Sequence, residues 1–286
     1  MKAAAFDYTR ATSVEAAIAL LSQHAGSAQI LAGGQSLMAM MNLRLAQPEM
    51  LIDISGIDSL KSITVEGQAL RIGALVTHHA VLTSDLVSRH VPLLAQAVPH
   101  VAHLAIRNVG TIGGSLALAD PAAEYPAVAL ALGATIVAQG PKGQRRIAIG
   151  EYFQGLYQTA LQPDELLVAV EFPLAQAGQV FHFDELSRRR GDYAMVGLAC
   201  ALRLQGQQVQ DARLAYLAVG DGPVLATQAM AALQGKSLDA AAIQAAQQAL
   251  SRDLSPNGDL QADPATKIHL ARVLLGRALN ALRSAS

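Results

Sequence analysis

The 286-residue chain is short of cysteine: Cys200 is the only one. A single thiol excludes a disulfide within the chain, and it excludes an iron–sulfur cluster held by the chain's own thiolates. Charge is sparse as well, with 15% of residues charged and a formal net charge of −1. That leaves no electrostatic footprint for nucleic acid or an anionic membrane. Long apolar runs are missing: the stretch from Pro126 to Ala134 is too short and too interrupted to span a bilayer. The N-terminus has no basic segment followed by an apolar stretch and a cleavage site, so no signal peptide is expected and the cytoplasm is the expected location. Two nucleotide signatures are absent: no G-x-G-x-x-G follows a strand and no Walker lysine follows a glycine loop, which argues against Rossmann and P-loop proteins. His78 and His79 are adjacent and point apart on a regular element. No other group of His, Cys and carboxylates has metal-ligand spacing, so no metal site is expected.

What is present is apolar. Hydrophobic residues make up 52% of the chain, enough to fill a large core across two or three modest domains. A mean hydropathy of +0.30 points to apolar surface covered by partner subunits. Phe6–Thr9 reads as a strand, followed by a helix capped at Thr12 or Ser13, with Glu15 in its first turn and Val14, Ala17, Ile18 and Leu21 at helical spacing. Gly26 stops it. Ala28–Leu31 is a strand, Leu37–Leu45 a Met-rich helix whose methionines are core fill, and Met50–Ile54 a further strand. Ser62–Ile72 has the alternation of a hairpin turning at Glu66-Gly67. Helical segments broken at Pro92 and Pro99 lead to an Ala/Leu-rich helix and strands at Ala134–Ala138, Ile147–Ile149 and Leu166–Phe172. A third region begins near Phe181, with strand-like runs Ala194–Leu204 and Ala212–Val219 before an Ala/Gln-rich helical tail. Cys200 lies inside one of these strands and reads as an inert small hydrophobe.

Two glycine clusters carry the chemistry. The first is Ala32-Gly33-Gly34-Gln35-Ser36, followed by Leu37. The second is Thr111-Ile112-Gly113-Gly114-Ser115. Glycines let backbone N–H groups approach an anion closely, and the neighbouring hydroxyls add donors. A dinucleotide has two phosphates to hold, so two such loops far apart in sequence fit one bound in a cleft between lobes. An ordinary glycine turn is the competing reading of each loop alone. Asp120 and Glu124 are four apart and would share one helix face, where a sugar hydroxyl could reconcile two carboxylates; a helix-capping Asp beside a solvated Glu is the plainer alternative. In Arg188-Arg189-Arg190-Gly191-Asp192-Tyr193, Tyr193 could lie against a flat cofactor, and the arginines could meet a partner or stay solvated.

These residues, with Leu43-Arg44-Leu45, Leu51-Ile52-Asp53-Ile54, Ile72-Gly73-Ala74, Arg107-Asn108-Val109-Gly110, Asp120-Pro121-Ala122-Ala123-Glu124 and Gly191-Asp192-Tyr193-Ala194, resemble the FAD-binding medium subunits of molybdenum-containing hydroxylases of the carbon monoxide dehydrogenase type, in the xanthine dehydrogenase family. The resemblance runs over nearly the whole chain. It implies an α+β fold: a vanillyl-alcohol-oxidase (PCMH) type FAD-binding unit of two α/β lobes, then a C-terminal domain with a three-stranded sheet and helices. The divisions expected are residues 1–56, 57–176 and 177–286. It implies non-covalent FAD held by Ala32, Gly33, Gly34, Gln35, Ser36 and Leu37 from one lobe and by Thr111, Ile112, Gly113, Gly114 and Ser115 from the other. Asp120, Glu124 and Tyr193 would complete the site, with no catalytic side chain. Where some relatives have lysine, this chain has Glu185; where many have asparagine, it has Ser115.

The resemblance also implies partners: a large molybdopterin-binding subunit and a small subunit with [2Fe–2S] clusters, assembled as a dimer of heterotrimers. Electrons would pass from the clusters through FAD to an external acceptor. Two alternatives remain open at this point, a stand-alone FAD-dependent oxidoreductase of the same fold and a non-catalytic scaffold that has lost FAD. The substrate could be carbon monoxide, a purine, an aldehyde or an N-heterocycle.

Overall fold

A computed structural model describes residues 2–24 and 26–285. Three main sheets follow one another along the chain. The first is parallel, with Met50–Asp53 between Asp7–Arg10 and Ala28–Leu31. The helix Val14–Gln23 covers it. Ser13 caps that helix by accepting the Ala16 N–H, and Val14, Ala17, Ile18 and Leu21 face inward as the spacing requires. The apolar core beneath is not private to this sheet: Leu75, Val137, Leu166, Val168 and Ala169 of the next region enter it.

The second sheet is antiparallel and five-stranded, in the order Ile63–Glu66, Ala69–Gly73, Leu166–Pro173, Thr135–Gly140 and Gly143–Ala148. Gly67, at φ +60°, makes the hairpin turn that the Glu66-Gly67 pair announced. Leu166–Phe172 is buried on both faces, which is why it reads as a continuous apolar run.

The third sheet is antiparallel, with long strands Gln179–Leu186, Val196–Gln205 and Gln208–Leu217 and a two-residue fourth, Val224–Leu225, at its edge. Alternation along its central strand sets up both faces. Val196, Leu198, Cys200 and Leu202 pack under the helices Thr227–Leu233, Ala240–Asp253 and Pro264–Ala285. The smaller Ala199 and Ala201 join a different core, which includes the helix Glu124–Leu132. That helix is buried from Tyr125 through Ala131, so it lacks a polar stripe. Pro126 is tolerated because its missing N–H falls in the first turn.

The expected α+β architecture is present. Two elements differ: the C-terminal sheet carries a short fourth strand, Val224–Leu225, beyond the three expected, and the Ala/Leu-rich stretch after the second glycine cluster is two helices, Ile112–Leu118 and Glu124–Leu132. Ala119 breaks it in a left-handed conformation at φ +56°, and the Asp120 side chain closes the next turn by accepting the Ala122 N–H at 2.9 Å. Asp120 and Glu124 therefore do not share a helix face, and Asp120 is not the helix cap, which is Ala123.

Candidate functional site

The two glycine clusters, about eighty residues apart in sequence, touch. A Cβ placed on Gly33 would lie 2.2 Å from the Val109 carbonyl oxygen and 2.9 Å from the Gly110 Cα. One on Gly114 would sit 3.9 Å from the Ala32 Cβ. Only glycine fits at Gly33, because backbone rather than a yielding side chain occupies the space. Gly34 is required for another reason, its φ of +68°.

The loops differ in what they offer. In the first, the N–H groups of Gly33, Gly34, Gln35 and Ser36 meet no acceptor among the described residues, and the Ser36 hydroxyl makes no capping bond. Gln35 turns back to donate to the Gly33 carbonyl at 3.0 Å. Leu37 opens the short helix Leu37–Asn42. In the second loop the backbone donors from Ile112 to Ser115 are engaged. Ile112 donates to Val76, Gly113 to Ala74 and Ser115 to Thr111, and Gly114 donates to the Thr111 side-chain oxygen. Ile112 is fully buried and Gly113 packs against Ala74. Ile112 and Gly113 thus set the position of the loop and do not present donors. What the second loop can still offer is the Thr111 N–H, which meets no acceptor among the described residues, and the hydroxyl hydrogens of Thr111 and Ser115.

Residues outside the two clusters hold this loop. Thr77 pairs with Thr111 in an isolated bridge, and the His78 N–H donates to Gly110. The His78 ring is hydrogen-bonded to the Tyr125 hydroxyl, Nδ1 to oxygen 3.1 Å. Burial, assisted by the Arg107 charge, lowers its pKa to about 4, so it is neutral. His79, by contrast, is exposed. Arg107 donates to the carbonyls of Val101 and Ala102 at 2.9 and 2.8 Å, tying down the segment before the loop.

Acidic and phenolic groups gather next to it. The Tyr157 hydroxyl donates to Asp120 at 3.4 Å. Partial burial, and then the neighbouring Asp120 and Glu124, raise the pKa of Tyr193, whose surface is 62% exposed. Glu124, the first residue of its helix, has its carboxyl pushed up to about 8, by burial first and then by the charges of Glu185 and Asp120. Glu185 reaches in from the third sheet, and its side chain is only 3% exposed. The C-terminal domain is anchored here by the Ala218 N–H, which donates to the Pro121 carbonyl at 2.8 Å. Arg188, Arg189 and Arg190 are exposed. A separate cavity of about 230 Å³ lies at another seam, between Pro173–Gln176 and Ala201–Arg203, and none of the residues above lines it.

Residues 4–175 match the FAD binding domain in molybdopterin dehydrogenase, and residues 181–282 match the CO dehydrogenase flavoprotein C-terminal domain. The chain belongs to this family of FAD-binding subunits. It is 37% identical over 276 residues to the carbon monoxide dehydrogenase medium chain of Hydrogenophaga pseudoflava, covering 96% of each. It is 38% identical to the 6-hydroxypseudooxynicotine dehydrogenase complex subunit alpha of Paenarthrobacter nicotinovorans, covering 98% of this chain and 95% of the other. Among solved structures, quinoline 2-oxidoreductase from Pseudomonas putida 86 matches with a TM-score of 0.95 at 35% identity over 100% of this chain and 99% of the other. Carbon monoxide dehydrogenase from Hydrogenophaga pseudoflava gives a TM-score of 0.96 at 39% identity over 98% of each chain. The chain is thus an FAD subunit of an oxidoreductase, and its relatives are subunits of multi-subunit dehydrogenases. Among the described residues no helix is long and apolar enough to cross a membrane.

The glycine loops fit FAD. The first loop leaves four N–H groups without an acceptor among the described residues, and the close contact of Gly33 with Val109 and Gly110 holds them beside the second loop, which suits an anion that brings its own oxygens.

Proposed function

We propose that this chain is the electron-exit subunit of a molybdenum hydroxylase. Electrons would arrive from a partner's [2Fe–2S] clusters, pass through FAD bound here and leave to an external acceptor. The observation that carries the reading is the contact of Gly33 with Val109 and Gly110, which brings two donor-bearing loops from different sheets to one place.

In this reading the N–H groups of Gly33, Gly34, Gln35 and Ser36 hold the diphosphate. The hydroxyls of Ser36, Thr111 and Ser115 complete its coordination, and Ile112 and Gly113 fix the height of the second loop. Asp120 and Glu124 meet sugar or ribityl hydroxyls, and Tyr193 lies along the flat ring system. When bound, FAD supplies the redox chemistry; the protein contributes position and electrostatics and needs no side-chain nucleophile.

The clusters and the molybdopterin cofactor then belong to partners. Cys200 is fully buried, and burial pushes its thiol up to about 12, so it is no ligand for a cluster. Carbon monoxide, caffeine and quinoline, named for relatives of similar length and fold, are chemically unlike. That favours a substrate site outside this subunit. A dimer of heterotrimers is the assembly we expect.

Purification of the native protein tests this. Flavin, iron and molybdenum should co-elute in fixed ratio with two further chains. A fully active single chain free of iron and molybdenum would overturn the reading.

A further inference from the structure

A lysine that the scheme above does not use ties the C-terminal helix to the turn that carries Asp120. Lys267 lies in the first turn of Pro264–Ala285 and is only 5% exposed. Its Nζ donates to the Ala218 carbonyl at 2.9 Å and pairs with Asp259 Oδ2 at 2.8 Å. Ala218 directly follows the strand Gln208–Leu217 and is left-handed, at φ +62°. That conformation is unfavourable for alanine and persists only where the surroundings hold it. Both of its backbone groups bond outside the sheet. The carbonyl accepts from Lys267, and the N–H donates to the Pro121 carbonyl at 2.8 Å.

Pro121 belongs to the turn that Asp120 closes. Asp120 Oδ1 accepts the Ala122 N–H at 2.9 Å, and its main-chain carbonyl accepts the Ala123 N–H at 3.0 Å. Asp120 Oδ2 has only the long 3.4 Å bond from Tyr157. Three short contacts thus run in line from Asp259 through Lys267 and Ala218 to the backbone of this turn. Without the lysine, the Ala218 carbonyl would be left buried with no donor. The simplest relief is for Ala218 to leave the left-handed region, which turns its N–H off Pro121.

We propose that Lys267 is a positioning residue of the cofactor site: by holding the Ala218 carbonyl it fixes the Pro121 turn, and with it the place where the Asp120 carboxylate meets a cofactor hydroxyl. This rests on the reading that Asp120 contacts FAD. The C-terminal helix then acts on FAD binding through the turn.

The experiment is FAD titration of the native assembly depleted of flavin, followed by flavin fluorescence, beside a thermal melt of each variant. K267M should weaken FAD binding by about 3- to 10-fold, the effect of misplacing one hydrogen bond to a charged group. K267R, which keeps a charged donor, recovers most of the loss. D259N lowers the melting temperature but keeps the bond to Ala218, so its FAD affinity stays within about twofold of the unaltered protein. D120A weakens binding by itself, and K267M adds nothing in that background, whereas a merely structural lysine would add its full effect. Glutamine is one bond shorter than lysine and falls short of the Ala218 carbonyl, so K267Q gives the same loss and replaces K267M if that variant does not assemble. FAD affinity unchanged in K267M or K267Q overturns the proposal. So does a loss that adds in full to that of D120A, a loss of equal size in D259N, or failure of both Lys267 variants to assemble. An unaltered protein that binds no FAD overturns the reading of the cleft itself.

Discussion

Replacing Gly33 by alanine isolates the contact between the two loops. Gly33 does not have a left-handed φ, so alanine carries no backbone penalty there, and reduced freedom of the unfolded chain gives a small gain of about 0.4–1 kcal/mol. The cost is steric. The new methyl would stand 2.2 Å from a carbonyl oxygen, more than 1 Å inside ordinary contact, and the obstacle is backbone. Overpacking of this kind costs about 1–3 kcal/mol. Relief requires the loops to part, which takes the first loop's N–H groups out of register with the second loop's hydroxyls. Losing one charge-assisted hydrogen bond, about 1.5–3 kcal/mol, weakens FAD binding by about 10- to 100-fold. The assay is FAD titration paired with thermal melting. G67A is the control: Gly67, unlike Gly33, needs a positive φ, and a Cβ there meets open space in a distant hairpin. It should lower stability by about 1–2 kcal/mol and leave FAD affinity unchanged. G33A protein that melts cooperatively and binds FAD like the unaltered chain would refute the reasoning.

Three further outcomes follow from titratable groups. His78 is neutral in the fold, with its pKa lowered to about 4; the stability this contributes is complete above about pH 6.5 and is lost as pH falls toward 4, a difference of roughly 3 kcal/mol. In H78Q, which keeps a partner for Tyr125, urea midpoints should lose most of that slope. Asp259 is held down to about 2, chiefly by the hydrogen bond from Lys267, so its contribution is present above about pH 4 and disappears as pH falls toward 2. D259N should flatten that acid limb and destabilise the protein at neutral pH, because Lys267 is buried. Cys200 should resist thiol reagents in the native protein and react fully in denaturant; rapid labelling of folded protein would contradict its burial.

Local signals made much of the fold legible. Ser13 as a cap, the Glu66-Gly67 turn and the apolar spacing of Val14, Ala17, Ile18 and Leu21 act within a few residues, and each is where it was expected. The glycine pairs were visible for the same reason: close backbone approach leaves a compositional trace. What stayed hidden depends on sheet order. Tyr157 reaches Asp120 from 37 residues away and Tyr125 meets His78 across 47. Glu185 meets His100 only because the third sheet packs against the second region. No periodicity encodes such pairs. The left-handed Ala119 was equally silent, since alanine is an ordinary helix former and only the fold around it makes the break.

The cleft itself depends on a core that crosses the expected division near Gly56. Val14, Ile18 and Leu21 pack not only over their own parallel sheet but against a core that takes in Val137, Leu166, Val168 and Ala169 of the antiparallel one. Full burial of such side chains is worth about 1.5–3 kcal/mol each. Removing the second sheet therefore strips several kcal/mol from a unit of about 56 residues, which has little stability in hand. A fragment of residues 1–56 should show no cooperative melt by circular dichroism and no FAD binding. A folded fragment would mean that the first lobe is autonomous and free to swing about the seam. If the fragment is unfolded, the seam is a true core and the distance between Gly33 and Gly110 is set before any ligand arrives. The donors are then arranged in advance, and the cofactor bears little of the cost of ordering them.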